Sequence, residues 1–136
     1  MSSTVTTHSS LQAVSTEHAP AAIGPYTQAF KVGDLLFVSG SIPLDPKTGQ
    51  IVPGGVEAQT EQALKNMKAI VEAAGSEVGR IAKTLVFIKN MDDFGTINVI
   101  YEKFFGNHKP ARSAVEVARL PKDVLFEIEC IASLKD

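Results

Sequence analysis

The stretch V-L-F-E-I-E-C-I-A, residues 124–132, decides the fold class. Successive side chains of a strand point to opposite faces, so the nine residues divide into two sets. One set is Val124, Phe126, Ile128, Cys130 and Ala132; the other is Leu125, Glu127, Glu129 and Ile131. The first is wholly apolar and belongs against a covering layer. The second mixes carboxylates with large aliphatic groups, a composition that suits a subunit contact better than open solvent.

Working outward, Ser113–Ala118 reads as a second strand, and the turn chemistry of R-L-P-K-D at 119–123 predicts that the two form a β-hairpin. Upstream, Leu35–Ile42 (LLFVSGSI) and Lys83–Lys89 (KTLVFIK) are short, β-rich and apolar on both sides. Leu11–Val14 is a further short strand, and Thr27–Val32 reads as an edge strand closed by a Gly33-Asp34 turn. Two helices separate the strands. Val56, Ala63, Leu64, Met67, Ile70, Val71 and Ala74 recur at helical spacing, with Gly75 as the stop. Asp92 is placed to cap the second helix, whose buried side is Phe94, Ile97, Tyr101, Phe104 and Phe105 and whose end is Gly106. The expected class is α+β: a single mixed sheet with two helices packed on one face. That leaves the apolar second face partly exposed and predicts an oligomer with carboxylates near a subunit contact.

A chain of 136 residues is one domain with room for a core. Residues 1–10 (MSSTVTTHSS) are read as a disordered tail, and residues 11–136 as a single domain. Hydrophobic residues make up 44% and charged residues 21%, which excludes general disorder. A net charge of -2 offers no footprint for nucleic acid or an anionic membrane. The single cysteine excludes an intrachain disulfide. No apolar run reaches the roughly 20 residues of a membrane helix. Before Lys31 there is neither Lys nor Arg and no apolar leader core, so a cytoplasmic location is expected ahead of a mitochondrial one.

Few residues suggest chemistry. His8, His18 and His108 form no ligand pair, so no metal site is expected, and no nucleotide or nucleophile-elbow motif occurs. Lys47-Thr48 lacks the glycine of a phosphate loop. Arg112 opens a strand after Pro110-Ala111; it is either a solvated strand-end arginine or a guanidinium fork for a carboxylate. Glu127 and Glu129 are either structural carboxylates or a water-positioning acid–base group. Tyr26 sits on H-A-P-A-A-I-G-P-Y-T-Q-A-F, residues 18–30, which Pro20, Gly24 and Pro25 keep irregular and whose low charge suggests a well-packed loop. Cys130 is expected to be a small core residue. By spacing alone the chain is an oligomeric α+β domain without an assigned function.

Four strings carry a resemblance: A-P-A-A-I-G-P-Y at 19–26, V-S-G-x-I-P at 38–43, P-A-R-S-A-V-E-V-A-R-L-P-K-D at 110–123 and F-E-I-E at 126–129. In one register from Ala19 to Ser133 they resemble the Rid (YjgF) family of enamine/imine deaminases. The resemblance implies a chorismate-mutase-like fold and a homotrimer with sites at the subunit interfaces. It implies hydrolysis of 2-imino acids such as 2-iminobutanoate and 2-iminopropanoate to 2-oxo acids and ammonia, a metabolite damage-control activity without a cofactor. It places the carboxylate-binding arginine on Arg112, the water-orienting glutamate on Glu127, and substrate contacts on Tyr26, Gly40 and Asn98. Many members carry cysteine where this chain has Ala114, whose backbone N–H remains as a substrate contact. The family has also been described as an endoribonuclease or translation inhibitor, and a small-carboxylate binder or chaperone-like trimer is the non-enzymatic alternative.

Overall fold

In the computed structural model, residues 4–136 are described. The expected tail falls in part on residues 1–3, outside the described residues; residues 4–10 form no helix or strand and lead through a turn into the sheet.

The elements follow in the order β1 (Leu11–Val14), β2 (Ala29–Val32), β3 (Leu35–Ser41), α1 (Gly55–Ala73), β4 (Ile81–Ile88), α2 (Phe94–Phe105), β5 (Ala111–Glu116) and β6 (Phe126–Ser133). The strands form one six-stranded sheet in the order β1-β2-β3-β6-β4-β5. All neighbouring pairs are antiparallel except β4 and β5, which are parallel. β1 is therefore the edge strand on that side, and β2, expected there, lies one place inward.

The predicted hairpin does not form. β5 pairs with β4 through Thr84↔Arg112, and β6 runs between β3 and β4, pairing Val38↔Cys130 and Thr84↔Cys130. The physical reason is the pairing that β6 gains on both of its edges. Outside β5 it would expose a flank of backbone groups, whereas the central slot pairs both edges and buries Phe126, Ile128, Cys130 and Ala132. The slot exists because β3 and β4, both antiparallel to β6, are joined by an α1 crossover that steps over one strand position. The crossover through α2 then steps on from β4 to β5 in the same direction. Two same-handed crossovers in one direction lay their helices on the same face, and α1 packs against β6, β3 and α2.

The core lies between that face and the helices. Leu36, Val38, Val86, Ile88, Phe126 and Ile128 meet Ala63, Leu64, Met67, Val71 and Ile97. Gly75 stops α1 at φ +87° and Gly106 stops α2 at φ +63°, both in the left-handed region. The start of α2 differs from expectation. Asn90, not Asp92, caps the segment by accepting the Asp92 N–H, and a 3₁₀ turn over Met91–Asp93 precedes Phe94.

Three buried polar side chains tie connecting segments to the core. Gln59 Oε1 accepts the Leu125 N–H at 2.8 Å and holds the start of β6. Asn66 Nδ2 donates to the Ile42 and Leu44 carbonyls at 3.0 and 2.9 Å. Gln28 donates to the Pro20 and Thr16 carbonyls and accepts the Thr16 N–H, clasping the loop that carries Tyr26.

The face away from the helices is uncovered. Leu35, Phe37 and Val115 are 44%, 42% and 44% exposed, and Leu85, Phe87 and Ile131 are half-buried beside them.

Candidate active site

The sheet register assigns each candidate side chain to a face. Thr84, buried under the helices, pairs with both Cys130 and Arg112, so Arg112 faces the helix layer at the edge of the sheet. Ala114 is in register with buried Val86 and shares that side. Phe87 pairs with Glu127, so Glu127 faces the open side. Arg112 and Glu127 therefore lie on opposite faces of the sheet, and the structure gathers two separate groups of residues.

The first group gathers on Arg112. Its Nη1 donates to Asn98 Oδ1 at 2.8 Å, and the guanidinium carbon stands 4.8 Å from the centre of the Tyr101 ring and 5.3 Å from that of Phe94. All three partners lie on α2, one turn apart, and their cation–π and hydrogen-bond contacts fix the direction of the side chain. Tyr101 is held in turn by a 2.7 Å hydrogen bond with Thr84. Burial raises the Tyr101 phenol above its ordinary range, so it remains a neutral ring beneath the cation. No described carboxylate pairs with Arg112. A guanidinium has five N–H donors, and the rest of the fork is free to take a bidentate anion. A cavity of about 470 Å³ opens beside it, lined by Asn98, Tyr101, Glu102, His108 and Lys109 among others.

The second group gathers on Glu127. Its carboxylate lies over Gly40: a Cβ built at that position would sit 1.9 Å from Glu127 Oε2. Gly40 belongs to an irregularity in β3, where Ser39 and Gly40 intervene between the pairs Val38↔Cys130 and Ser41↔Ile128. Such a bulge re-aims the strand, and the missing side chain leaves the room that the carboxylate occupies. Burial, then the charge of Glu129, pushes the Glu127 carboxyl above the ordinary range. Tyr26, Ser39, Gly40, Ile42 and Pro121 enclose a cavity of about 310 Å³ with Glu127. Pro121 arrives on a turn whose Lys122 and Asp123 are left-handed at φ 57° and 58°.

The loop of residues 18–30 is not packed as expected. Only its ends are buried, at Ala19, Gln28 and Ala29; Ile23 is 77% and Tyr26 52% exposed. Cys130 is a core residue, as its strand position predicts, and burial, then Glu129, pushes its thiol up to about 12. It holds no thiolate at neutral pH. Among the described residues no cluster of His, Cys, Asp or Glu could hold a metal ion, and no helix is long and apolar enough to cross a membrane.

Sequence reasoning passed over Ser41, Ser39, Tyr101 and Phe94. Ser39 and Ser41 flank Gly40 in an otherwise apolar strand, and that small polar interruption is the signal that marks the bulge. Tyr101 and Phe94 fit the core pattern of α2 in the sequence; their position either side of Asn98 becomes informative only with Arg112 of β5 placed against them.

Known proteins share this sequence and fold. Residues 16–134 match the family model described as Endoribonuclease L-PSP. The chain is 59% identical over 122 residues to the 2-iminobutanoate/2-iminopropanoate deaminase of Escherichia coli, covering 88% of this chain and 94% of that one. The crystal structure of the Escherichia coli YjgF gene product superposes with a TM-score of 0.87 at 56% identity, covering 91% of this chain and 99% of that one. Escherichia coli TdcF with bound serine superposes with a TM-score of 0.86 at 51% identity, covering 90% and 98%. With a family model over residues 16–134, 59% identity to a curated relative and nearly full coverage in both directions, the chain belongs to the Rid (YjgF) family.

Proposed function

We propose that the protein hydrolyses 2-imino acids, with 2-iminobutanoate and 2-iminopropanoate as substrates, in a homotrimer whose active sites join the Arg112 group of one copy to the Glu127 group of the next. The observation that carries the reading is the oriented, unpaired fork of Arg112, in a chain 59% identical to a deaminase of these imines. Arg112 takes the substrate carboxylate by two N–H donors, Asn98 fixes the fork, and the Ala114 N–H adds a donor. Tyr26 presents its hydroxyl from the facing copy. Glu127 accepts a proton from water as the oxygen attacks the imine carbon, and returns it to nitrogen. The tetrahedral amino-alcohol then expels ammonia and leaves the 2-oxo acid. No covalent intermediate is required.

A raised carboxyl pKa suits the proton transfer, because it makes the carboxylate a stronger base. The trimer is supported by the exposed Leu35, Phe37 and Val115 of the open face and by Ile23 and Tyr26 beside it, apolar surface of a kind that marks an interface. Closing that interface brings desolvation to both half-sites and strengthens the carboxylate–guanidinium attraction.

Mixing subunits tests the shared site. Arg112→Ala and Glu127→Gln chains are each expected to be inactive as pure assemblies. Refolded together at equal amounts, random trimers place an intact Arg112 opposite an intact Glu127 in about a quarter of the sites. Recovery near that fraction supports the proposal. No recovery, with mixed trimers demonstrated by mass, would refute a site shared between copies.

A further inference from the structure

The Glu127 cavity continues into a second, deeper one of about 240 Å³; Tyr26, Ser39, Gly40, Ile42 and Pro121 line both. The deeper cavity runs under the loop of residues 20–26 and reaches Asn66 and Ile70 of α1. Its walls are mostly apolar, with one exception of particular chemistry. Ser41 lines it, is only 6% exposed, and its Oγ is the one buried side-chain polar atom among the described residues without a hydrogen-bond partner. Of the other polar walls, Tyr26 and Lys122 are exposed and the rest are committed. Asn66 donates to the Ile42 and Leu44 carbonyls, Ser39 Oγ donates to the Thr27 carbonyl at 2.6 Å, and Gln28 clasps its loop. A buried hydroxyl without a partner is unfavourable for the fold, and in a cavity wall it is a hydrogen-bonding group held for something that enters.

We infer that this cavity receives the side chain of the 2-imino acid and that Ser41 selects substrates whose side chain ends in a neutral hydrogen-bonding group. The inference rests on the deaminase reading and adds the substrate class to it. The geometry supports it in three ways. The cavity adjoins the carboxylate that positions the water, so a substrate held there by its imine carbon directs its side chain inward. Its volume exceeds the roughly 150 Å³ that suffices for a benzene-sized guest in a protein interior. The buried part of the wall offers a hydroxyl and no charge, the lining Lys122 being exposed, so a neutral hydroxyl or amide finds a partner there while a carboxylate or ammonium would be desolvated without one.

The test uses pairs of imines equal in length, released in situ by an L-amino-acid oxidase: from homoserine and norvaline, and from 5-hydroxynorvaline and norleucine. Each pair exchanges a terminal hydroxyl for a methyl. The unaltered protein is expected to favour the hydroxyl member in at least one pair. Ser41→Ala should reduce that preference about 3- to 10-fold, the usual worth of one neutral hydrogen bond, while activity on 2-iminopropanoate, which has no side chain to reach Ser41, stays the same. Thermal unfolding gives a second readout: losing an unpartnered buried hydroxyl should raise Tm by about 2–6 °C. Identical selectivity in Ser41→Ala and the unaltered chain would overturn the inference, and so would turnover of 2-iminopropanoate alone. Failure on 2-iminopropanoate itself would refute the deaminase reading, and this inference with it.

Discussion

Gly40→Ala isolates the position of the Glu127 carboxylate from its charge. The added Cβ would stand 1.9 Å from Oε2 and 2.9 Å from Cδ of Glu127, while real Cβ contacts do not fall below 3.0 Å. The carboxylate must therefore retreat by about 1 Å, and a displacement of that size is worth about 10²-fold in rate when the group positions a reactant. That corresponds to about 2.7 kcal/mol of transition-state stabilisation. The fold should barely register the change. The obstructed atoms are the end of a flexible side chain, and glycine replaced by alanine at an unstrained backbone site often gains about 0.4–1 kcal/mol. Gly40→Ala is thus expected to lower kcat about 100-fold on 2-iminopropanoate, with Tm within a few degrees and the assembly intact. KM should change less, because Arg112 holds the substrate from elsewhere. The assay follows 2-oxo acid formation above the spontaneous rate, with Gly79→Ala, where the nearest atom is 3.6 Å away, as the control. Full kcat in a folded Gly40→Ala protein would show that catalysis does not depend on the carboxylate where the structure puts it, and the water-positioning role of Glu127 would fall.

Arg112→Ala should abolish turnover while leaving fold and assembly unchanged, losing about 2–4 kcal/mol of transition-state binding; wild-type kcat/KM in a folded variant would return Arg112 to an ordinary strand-end arginine. The kcat/KM profile should fall on the acid side with a midpoint above 4.5, because burial and Glu129 raise the Glu127 carboxyl, and Glu129→Gln should move that midpoint to lower pH; an unmoved limb would assign the titration to another group. The same shift has a consequence for stability with a definite sign. A carboxyl raised in the folded state favours folding fully below its unfolded value near 4.5, and that contribution is lost as pH rises through the folded value, so Glu127→Gln should stabilise the protein at neutral pH, as measured by denaturant midpoint. Cys130→Ala should leave kcat nearly unchanged, since its thiol is pushed up to about 12, and Ala114→Cys should not be needed for activity; inactivity of Cys130→Ala with a functional Glu127→Gln would replace the water mechanism by a thiol one.

Local pattern carried the helices and most strands. The apolar stripe from Val56 to Ala74 became α1 over Gly55–Ala73, and the alternation of 124–132 became β6 over Phe126–Ser133, with the apolar set inside. Pairing order was not legible. Two strands separated by R-L-P-K-D look like a hairpin because the hairpin is the nearest solution in sequence, whereas the slot between β3 and β4 is created by a crossover far upstream. This error hid that Arg112 and Glu127 lie on opposite faces of the sheet. The faces of Arg112 and Glu127 can be compared only once β5 is registered on β4 and β4 on β6, and a shift of one residue would reverse the answer. The exposure of Ile23 and Tyr26 was unreadable for a related reason: an uncharged loop packs on something, and its sequence does not say whether that surface belongs to its own copy.

The central place of β6 has a consequence for synthesis. Val38 and Thr84 both wait for Cys130, which the ribosome adds long after them. Until then β3 and β4 face an empty strand position with unpaired amides and carbonyls along both margins, and neither crossover helix has a continuous surface to cover. Nascent chains should therefore gain little by folding in stages, and a chain cut short before Phe126 should keep an open groove that accepts any extended segment, including the same strand from another copy.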